Sequence, residues 1–228
     1  MDCTNFLSVF KKLLHEWADK DSPLEMPLSE IPNSCCPQCE HETRVFDFDT
    51  IMKNFCSKVK LSRLSSVDGL YLDEQRNIVY LLEMKSVANY MKYQKKGELT
   101  FDKKFQSIVN LLFEGEEDLF ETNDLGIKKK KSKRKATLAE KAGDSYLLFF
   151  ALFGYGARTE EQLVHCLLDE NKFQIKYFIV VDMGSEDYLK HRLAILNLLK
   201  QKITHRFLNS IELVNARDVH EILGNTFS

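Results

Sequence analysis

The sequence is short of several things, and each shortage removes a class of protein. Its longest apolar runs, Tyr146–Phe153 and Tyr177–Val181, fall far below the roughly 20 residues needed to cross a bilayer. No Gly-rich phosphate loop is present, no internal repeat is visible, and the histidines show no paired spacing of a catalytic kind. Met1-Asp2-Cys3 is not a basic segment leading into an apolar one, so no secretory signal is read, and a cytoplasmic chain with mostly reduced thiols is expected. There are only four prolines, all within Ser22–Cys39, a stretch that therefore reads as an irregular connection.

A strong net charge is also missing, at −2 over 228 residues. That balance hides a polarity within the chain. Lys128, Lys129, Lys130, Lys131, Lys133, Arg134 and Lys135 crowd into eight positions, leaving the remainder acidic. A polyanion would have to be held by local patches rather than by the global field.

What is present is a large apolar fraction, 44%, with 16 Phe and 8 Tyr, enough for a sizeable core. Phe6, Leu7, Phe10, Leu13, Leu14 and Trp17 share one face of an amphipathic helix. A second helix is expected from about Asp49, as N-cap, to Cys56. Three extended segments follow, Val59–Leu64, Val67–Leu72 and Ile78–Met84, the last apolar on both faces like a central strand. The short polar connection Asp73–Asn77 makes a hairpin of the last two. Phe101–Phe113 has helical spacing with Thr100 or Asp102 as cap, and Tyr146–Phe153 reads as a buried helix, although its period does not distinguish helix from strand. Thr159–Gln162 has the form of a capping box opening a helix through Leu168. Tyr177–Asp182 is a strand, Tyr188–Ile203 a helix, Ile211–Asn215 a strand and Val219–Leu223 a helical turn. The expected class is α/β, a mixed central sheet flanked by helices and interrupted by a helical insertion.

The chemistry concentrates in Ser66–Ser86. Side chains alternate along a strand, so Glu83 and Lys85 point one way and Met84 the other. The hairpin folds Asp68 back beside them. Two carboxylates at short range favour a hard divalent cation between them, and a cation there can polarise a phosphodiester oxygen and acidify a bound water. Lys85 can orient that water and stabilise developing charge.

A helix, a hairpin carrying Asp, a strand ending in Glu-x-Lys and a following helix resemble the PD-(D/E)XK nuclease superfamily. Val67-Asp68 stands where the family has Pro-Asp, and Glu83-Met84-Lys85 stands for its E-x-K. The resemblance covers roughly Asp49–Phe113. It implies a restriction-endonuclease-like core and Mg²⁺- or Mn²⁺-dependent cleavage of nucleic acid, DNA more often than RNA. Asp68 and Glu83 would be the metal ligands and Lys85 the catalytic lysine. A further acid from the first core helix is often used; Asp47, Asp49, Glu40 and Glu42 all stand near that position. Lys103, Lys104 and Gln106 correspond to where some relatives contact phosphate. On this division residues 1–42 are an N-terminal helix and connection. Residues 43–228 form the nuclease-like domain, with a mobile basic loop at about 124–136.

The expected partner is nucleic acid, held in part by the Lys128–Lys135 tract, with a recruiting protein and a role in restriction, antiviral defence or repair. The rival reading is a non-catalytic interaction module, with Glu83 and Lys85 a plain ion pair at a strand end. Cys36-x-x-Cys39 raises zinc, but no second pair completes four ligands, and reduced thiols are the favoured reading. Asp182 ends a strand without a partner signature and is read as structural.

Overall fold

A computed structural model describes residues 6–17, 25–38, 43–62, 64–93, 101–113, 120–122, 128–130, 136–156 and 173–224. In chain order the elements are α1 (Phe6–Glu16), β1 (Glu25–Pro27), β2 (Arg44–Asp47), α2 (Phe48–Val59), β3 (Gly69–Asp73) and β4 (Ile78–Lys85). There follow α3 (Val87–Tyr93), α4 (Phe101–Leu112), β5 (Phe120–Thr122), β6 (Lys128–Lys130) and α5 (Leu138–Gly156). The chain continues through β7 (Gln174–Val181), α6 (Ser185–Lys202), β8 (Ser210–Asn215) and α7 (Val219–Gly224). Among the described residues no helix is long and apolar enough to cross a membrane.

The protein is α/β, built on a six-stranded mixed sheet in the order β1-β2-β3-β4-β7-β8 with helices on its faces. The β1–β4 half is antiparallel, and β4, β7 and β8 run parallel. Seven of the eight residues of β4 are buried, as a strand with neighbours on both edges and layers on both faces requires. Its side chains divide by parity. Val79 and Leu81 enter the larger core, beneath α1, α2, α4 and α5, while Ile78, Tyr80, Leu82 and Met84 enter a smaller one under α7 and the segment 28–36. Edge-on aromatic pairs, Phe6 with Phe173 and Phe10 with Phe149, seat α1 against the start of β7 and against α5.

The hairpin is as expected: Asp73 pairs with Ile78 and Gly69 with Leu82. The strand before it is not. Val59 closes α2, and Lys60 stops the helix in the left-handed conformation at φ 57°, its N–H bonding back to Cys56 and Ser57. Val59–Ser62 is therefore helix end and coil rather than strand, and so is Leu64. The third antiparallel strand is β2, upstream of the helix and only four residues long, too short for its alternation to register in sequence. The α2 cap is Asp47 rather than Asp49: its carboxylate accepts from the Thr50 N–H at 3.0 Å.

Helix α5 begins eight residues before the apolar run that announces it. Thr137 and Glu140 form a reciprocal capping box, Glu140 N–H to Thr137 Oγ1 at 3.1 Å and Thr137 N–H to Glu140 Oε2 at 2.8 Å. Of the basic tract, Lys128–Lys130 pair antiparallel with Phe120–Thr122 rather than forming irregular chain. Lys131, Lys133, Arg134 and Lys135 lie outside the described residues, as does the helix expected at Thr159–Leu168.

Candidate metal centre

The register that joins β3 to β4 carries the site. Continued one step beyond Gly69–Leu82, it sets Asp68 opposite Glu83. Both side chains lie on the sheet face that Val79 and Leu81 occupy lower down, and Lys85 shares that face. Met84 turns into the opposite core and anchors the strand end. The alternation read from Glu83-Met84-Lys85 is thus the one observed.

Asp68 is held from several sides. Its Oδ2 accepts the Met84 N–H at 2.7 Å across the hairpin, and its Oδ1 accepts Asn33 Nδ2 at 3.2 Å. Asn33 comes from the turn that covers the smaller core. The turn packs closely over Gly69: a Cβ there would stand 3.0 Å from the Ile31 Cδ1, which would have to shift to make room. From the other face, α5 pins the segment leading into Asp68. Asp144 accepts the Ser65 N–H at 2.9 Å and Ser145 accepts the Val67 N–H at 3.1 Å.

Glu83 is fully buried. A charge there needs partners, and it has two. Lys141, in the first turn of α5, donates to Oε1 at 2.7 Å and to Oε2 at 3.0 Å. Lys85 Nζ stands 3.1 Å from Oε1. Burial and then the neighbouring Glu83 charge push Asp68 up to about 6, against the opposing pull of Lys141 and the bonds from Met84 and Asn33. Burial alone would lower the Lys141 ammonium. The charges of Glu83, Asp68 and Asp49 outweigh it, and Lys141 is raised above its ordinary value.

These groups line an open cleft of about 640 Å³. Of the four acids that sequence left as candidates, Asp49 faces it; Asp47 is spent on the α2 cap, and Glu40 and Glu42 fall outside the described residues. Asp49 accepts the Ser66 hydroxyl at 2.9 Å and pairs with Lys53 at 2.6 Å. The cleft shares Ser34, Ser86 and Asn89 with a neighbouring one of about 510 Å³ at the carboxyl ends of β4, β7 and β8, so a longer groove runs past the site. Asp182 organises the wall between them. It accepts the Ser86 hydroxyl at 2.7 Å and the Ala88 N–H at 2.9 Å, tying the start of α3 to β7.

Several expected contributors stand elsewhere. Lys103, Lys104 and Gln106 do not line the cleft. The turn of α4 sends Lys104 to Asp187 on α6 at 3.2 Å, Gln106 donates to Asn110 at 2.8 Å, and Lys103 is exposed. Cys36 is buried in the turn segment, Cys56 packs on the Met52 sulfur inside the core, and Cys39 is outside the described residues.

Among the described residues no group of three or more His, Cys, Asp or Glu side chains is arranged to hold a metal. Two carboxylates meet here, which is the number from which Mg²⁺ is commonly held, the rest of its shell being water and substrate phosphate. The donor chemistry of Asp68 and Glu83 fits such an ion, provided Glu83 frees an oxygen now bonded to lysine.

Compared with protein-family models, curated proteins and solved structures, the chain shows no match. The class defined by the fold is that of a mixed-sheet α/β protein with an acid–lysine cluster at the end of its central strands.

Proposed function

We propose that this chain is a metal-dependent phosphodiesterase, and specifically a DNA endonuclease. The observation that carries the reading is the convergence of Asp68, Glu83 and Lys85 on one face at the open end of the most buried strand. A charged cluster is costly in that position, and a simple surface ion pair would not need it. The resemblance of Val67-Asp68…Glu83-Met84-Lys85 to the PD-(D/E)XK pattern, with a sheet of compatible order, supports the same reading.

Asp68 and Glu83 would hold Mg²⁺ or Mn²⁺, which when bound supplies polarisation of a phosphodiester oxygen and acidification of a water. Asp68 is fixed for this by Met84 and Asn33, and Glu83 by its burial. Lys85 stands beside Glu83, where its ammonium orients the attacking water and stabilises negative charge on the phosphorus oxygens. Asp49 also lines the cleft, where its carboxylate would accept hydrogen bonds from entering water. Asn89, which also lines the cleft, offers a neutral donor to a phosphate backbone without the repulsion that a further carboxylate would bring, while the Ser34 and Ser66 hydroxyls donate to the Leu28 carbonyl and to Asp49.

The test is purified chain with supercoiled plasmid, single-stranded DNA and RNA, in Mg²⁺ or Mn²⁺ and with a chelator control. Cleavage that the chelator stops is expected. Asp68→Asn and Glu83→Gln should abolish it, and Lys85→Ala should lower the rate by roughly 10²–10⁴-fold, the contribution of a placed proton-transfer group. Equal cleavage by all three variants and wild type would locate the activity elsewhere. No cleavage of any of these substrates would favour the interaction-module reading.

A further inference from the structure

The proposed metal centre leaves one side chain without a role. Lys141 is not part of the Asp…Glu-x-Lys pattern and arrives from a different element, yet it makes the shortest contacts to Glu83. Its ammonium bonds both oxygens of that carboxylate, at 2.7 and 3.0 Å. It also lies in the field of Asp68 and Asp49. The Lys141 charge thus stands on Glu83 and within the influence of Asp68, close to where a divalent cation held between Asp68 and Glu83 would need to be.

We propose that Lys141 is a tethered counter-cation: it neutralises Glu83 in the metal-free chain, competes with the divalent ion for that carboxylate, and is released into the cleft when the ion binds. Lys85 cannot play this part equally well. It lies on β4 two residues from Glu83 and stands against Oε1, while among the described residues Oε2 is held by Lys141. Lys141 has the necessary freedom. Its side chain is about a fifth exposed, it borders the open cleft, and four methylenes connect its ammonium to the first turn of α5. The exchange conserves the logic of the site, since a buried carboxylate is never left without a cation. It also gives metal binding a consequence, because the freed ammonium faces the cleft in which a phosphate would lie. The inference rests on the metal-dependent reading above.

The experiment is direct metal titration of the full chain without nucleic acid, by calorimetry with Ca²⁺ and by the loss of the free-ion electron-spin signal with Mn²⁺. Wild type, Lys141→Met, Lys141→Arg and Asp68→Asn are compared. Removing a competitor that makes two charge-assisted hydrogen bonds should tighten binding in Lys141→Met on the order of tenfold or more. Lys141→Arg, whose planar fork grips a carboxylate at two points, should bind metal no more tightly than wild type. Melting temperature supplies a second readout: Lys141→Met should melt lower than wild type without metal and gain more from added Ca²⁺. Should Lys141→Met be unfolded without metal, refolding on addition of Ca²⁺ would support the exchange, and failure to refold would overturn it. Metal binding that is unchanged or weaker in Lys141→Met would make Lys141 a mere support for Glu83 and overturn this inference alone. Absence of divalent-ion binding in both wild type and Lys141→Met would overturn the metal centre and this inference together.

Discussion

Replacing Asp68 by asparagine should change how stability depends on pH, with a sign and size that follow from the geometry. The carboxyl is moved from its ordinary 3.8 to about 6 by burial and by the Glu83 charge beside it. An acid whose folded pKa is raised binds its proton more tightly in the native state than in the unfolded chain. Stability therefore falls as pH rises, beginning near the unfolded value of 3.8 and ending once pH has passed about 6. At 1.36 kcal/mol per pH unit, the full loss is ~3 kcal/mol. The amide of the Asp68→Asn variant has no such titration, while it keeps the volume and an acceptor for the Met84 N–H. Urea unfolding of wild type and Asp68→Asn, without metal, should give free energies whose difference is constant only well below the unfolded value of 3.8. The variant should gain ~3 kcal/mol on wild type by pH 7. Using the difference between the two proteins removes the titrating groups that do not interact with Asp68. Saturating Ca²⁺ should cancel most of the gain, because an ion bound to Asp68 stabilises the charged form and only wild type can use it. Curves that stay parallel from pH 3 to pH 7 would refute the account of Asp68 as a buried acid strained by its neighbour.

The remaining predictions concern the supports of the site. Thr137→Ala removes the hydroxyl that caps α5 and should lower stability by about 1 kcal/mol in urea unfolding, with faster hydrogen exchange confined to the first turn; no change in exchange there would mean that the cap is not what starts the helix. Asp182→Ala deprives the Ser86 hydroxyl and the Ala88 N–H of their acceptor and should cost about 1–3 kcal/mol, with Asp182→Asn costing less. Equal losses in the two would point to packing rather than to hydrogen bonding. Changing the cations of Lys128–Lys135 to Gln should weaken nucleic-acid binding and reduce its salt slope by about 0.9 for each duplex-DNA phosphate that is no longer neutralised. An unaltered slope would take the tract off the binding surface.

The parts of the fold legible in sequence were those in which burial imposes a period over enough residues. α1, β4, β7 and α6 each extend six residues or more with a one-sided or fully buried pattern, and each lies within a few residues of its expected place. β2 was invisible for the opposite reason. Its four residues, Arg44–Asp47, carry no alternation, since Arg44 at the strand's start is exposed and the next three are all buried. The expected strand at Val59–Leu64 arose because Val59 and Leu61 alternate with Lys58, Lys60 and Ser62. That pattern is the end of a helix followed by a left-handed stop, and without the position of Lys60 in φ the two cannot be told apart.

The site was half legible for a related reason. Asp68, Glu83 and Lys85 are tied by one hairpin, and strand parity alone predicts that their side chains share a face, so a short stretch of sequence contains the geometry. Lys141 is 58 positions from the glutamate it holds, and nothing local to it names that partner. The one signal available was Thr137-Leu138-Ala139-Glu140, a capping box that fixes where α5 begins and so puts Lys141 in its first turn. Even that would have given the residue's position on a helix, not the helix's position on the sheet. The latter depends on Asp144 and Ser145 gripping the backbone of Ser65 and Val67, contacts that span 79 and 78 residues. Those two grips hold the segment just before Asp68, and Lys141 projects from the same helix onto Glu83. A single element therefore sets both carboxylates, and a shift of α5 along its axis would move the cation and the acid-bearing segment together. This coupling makes α5, rather than the hairpin alone, the structural determinant of the site.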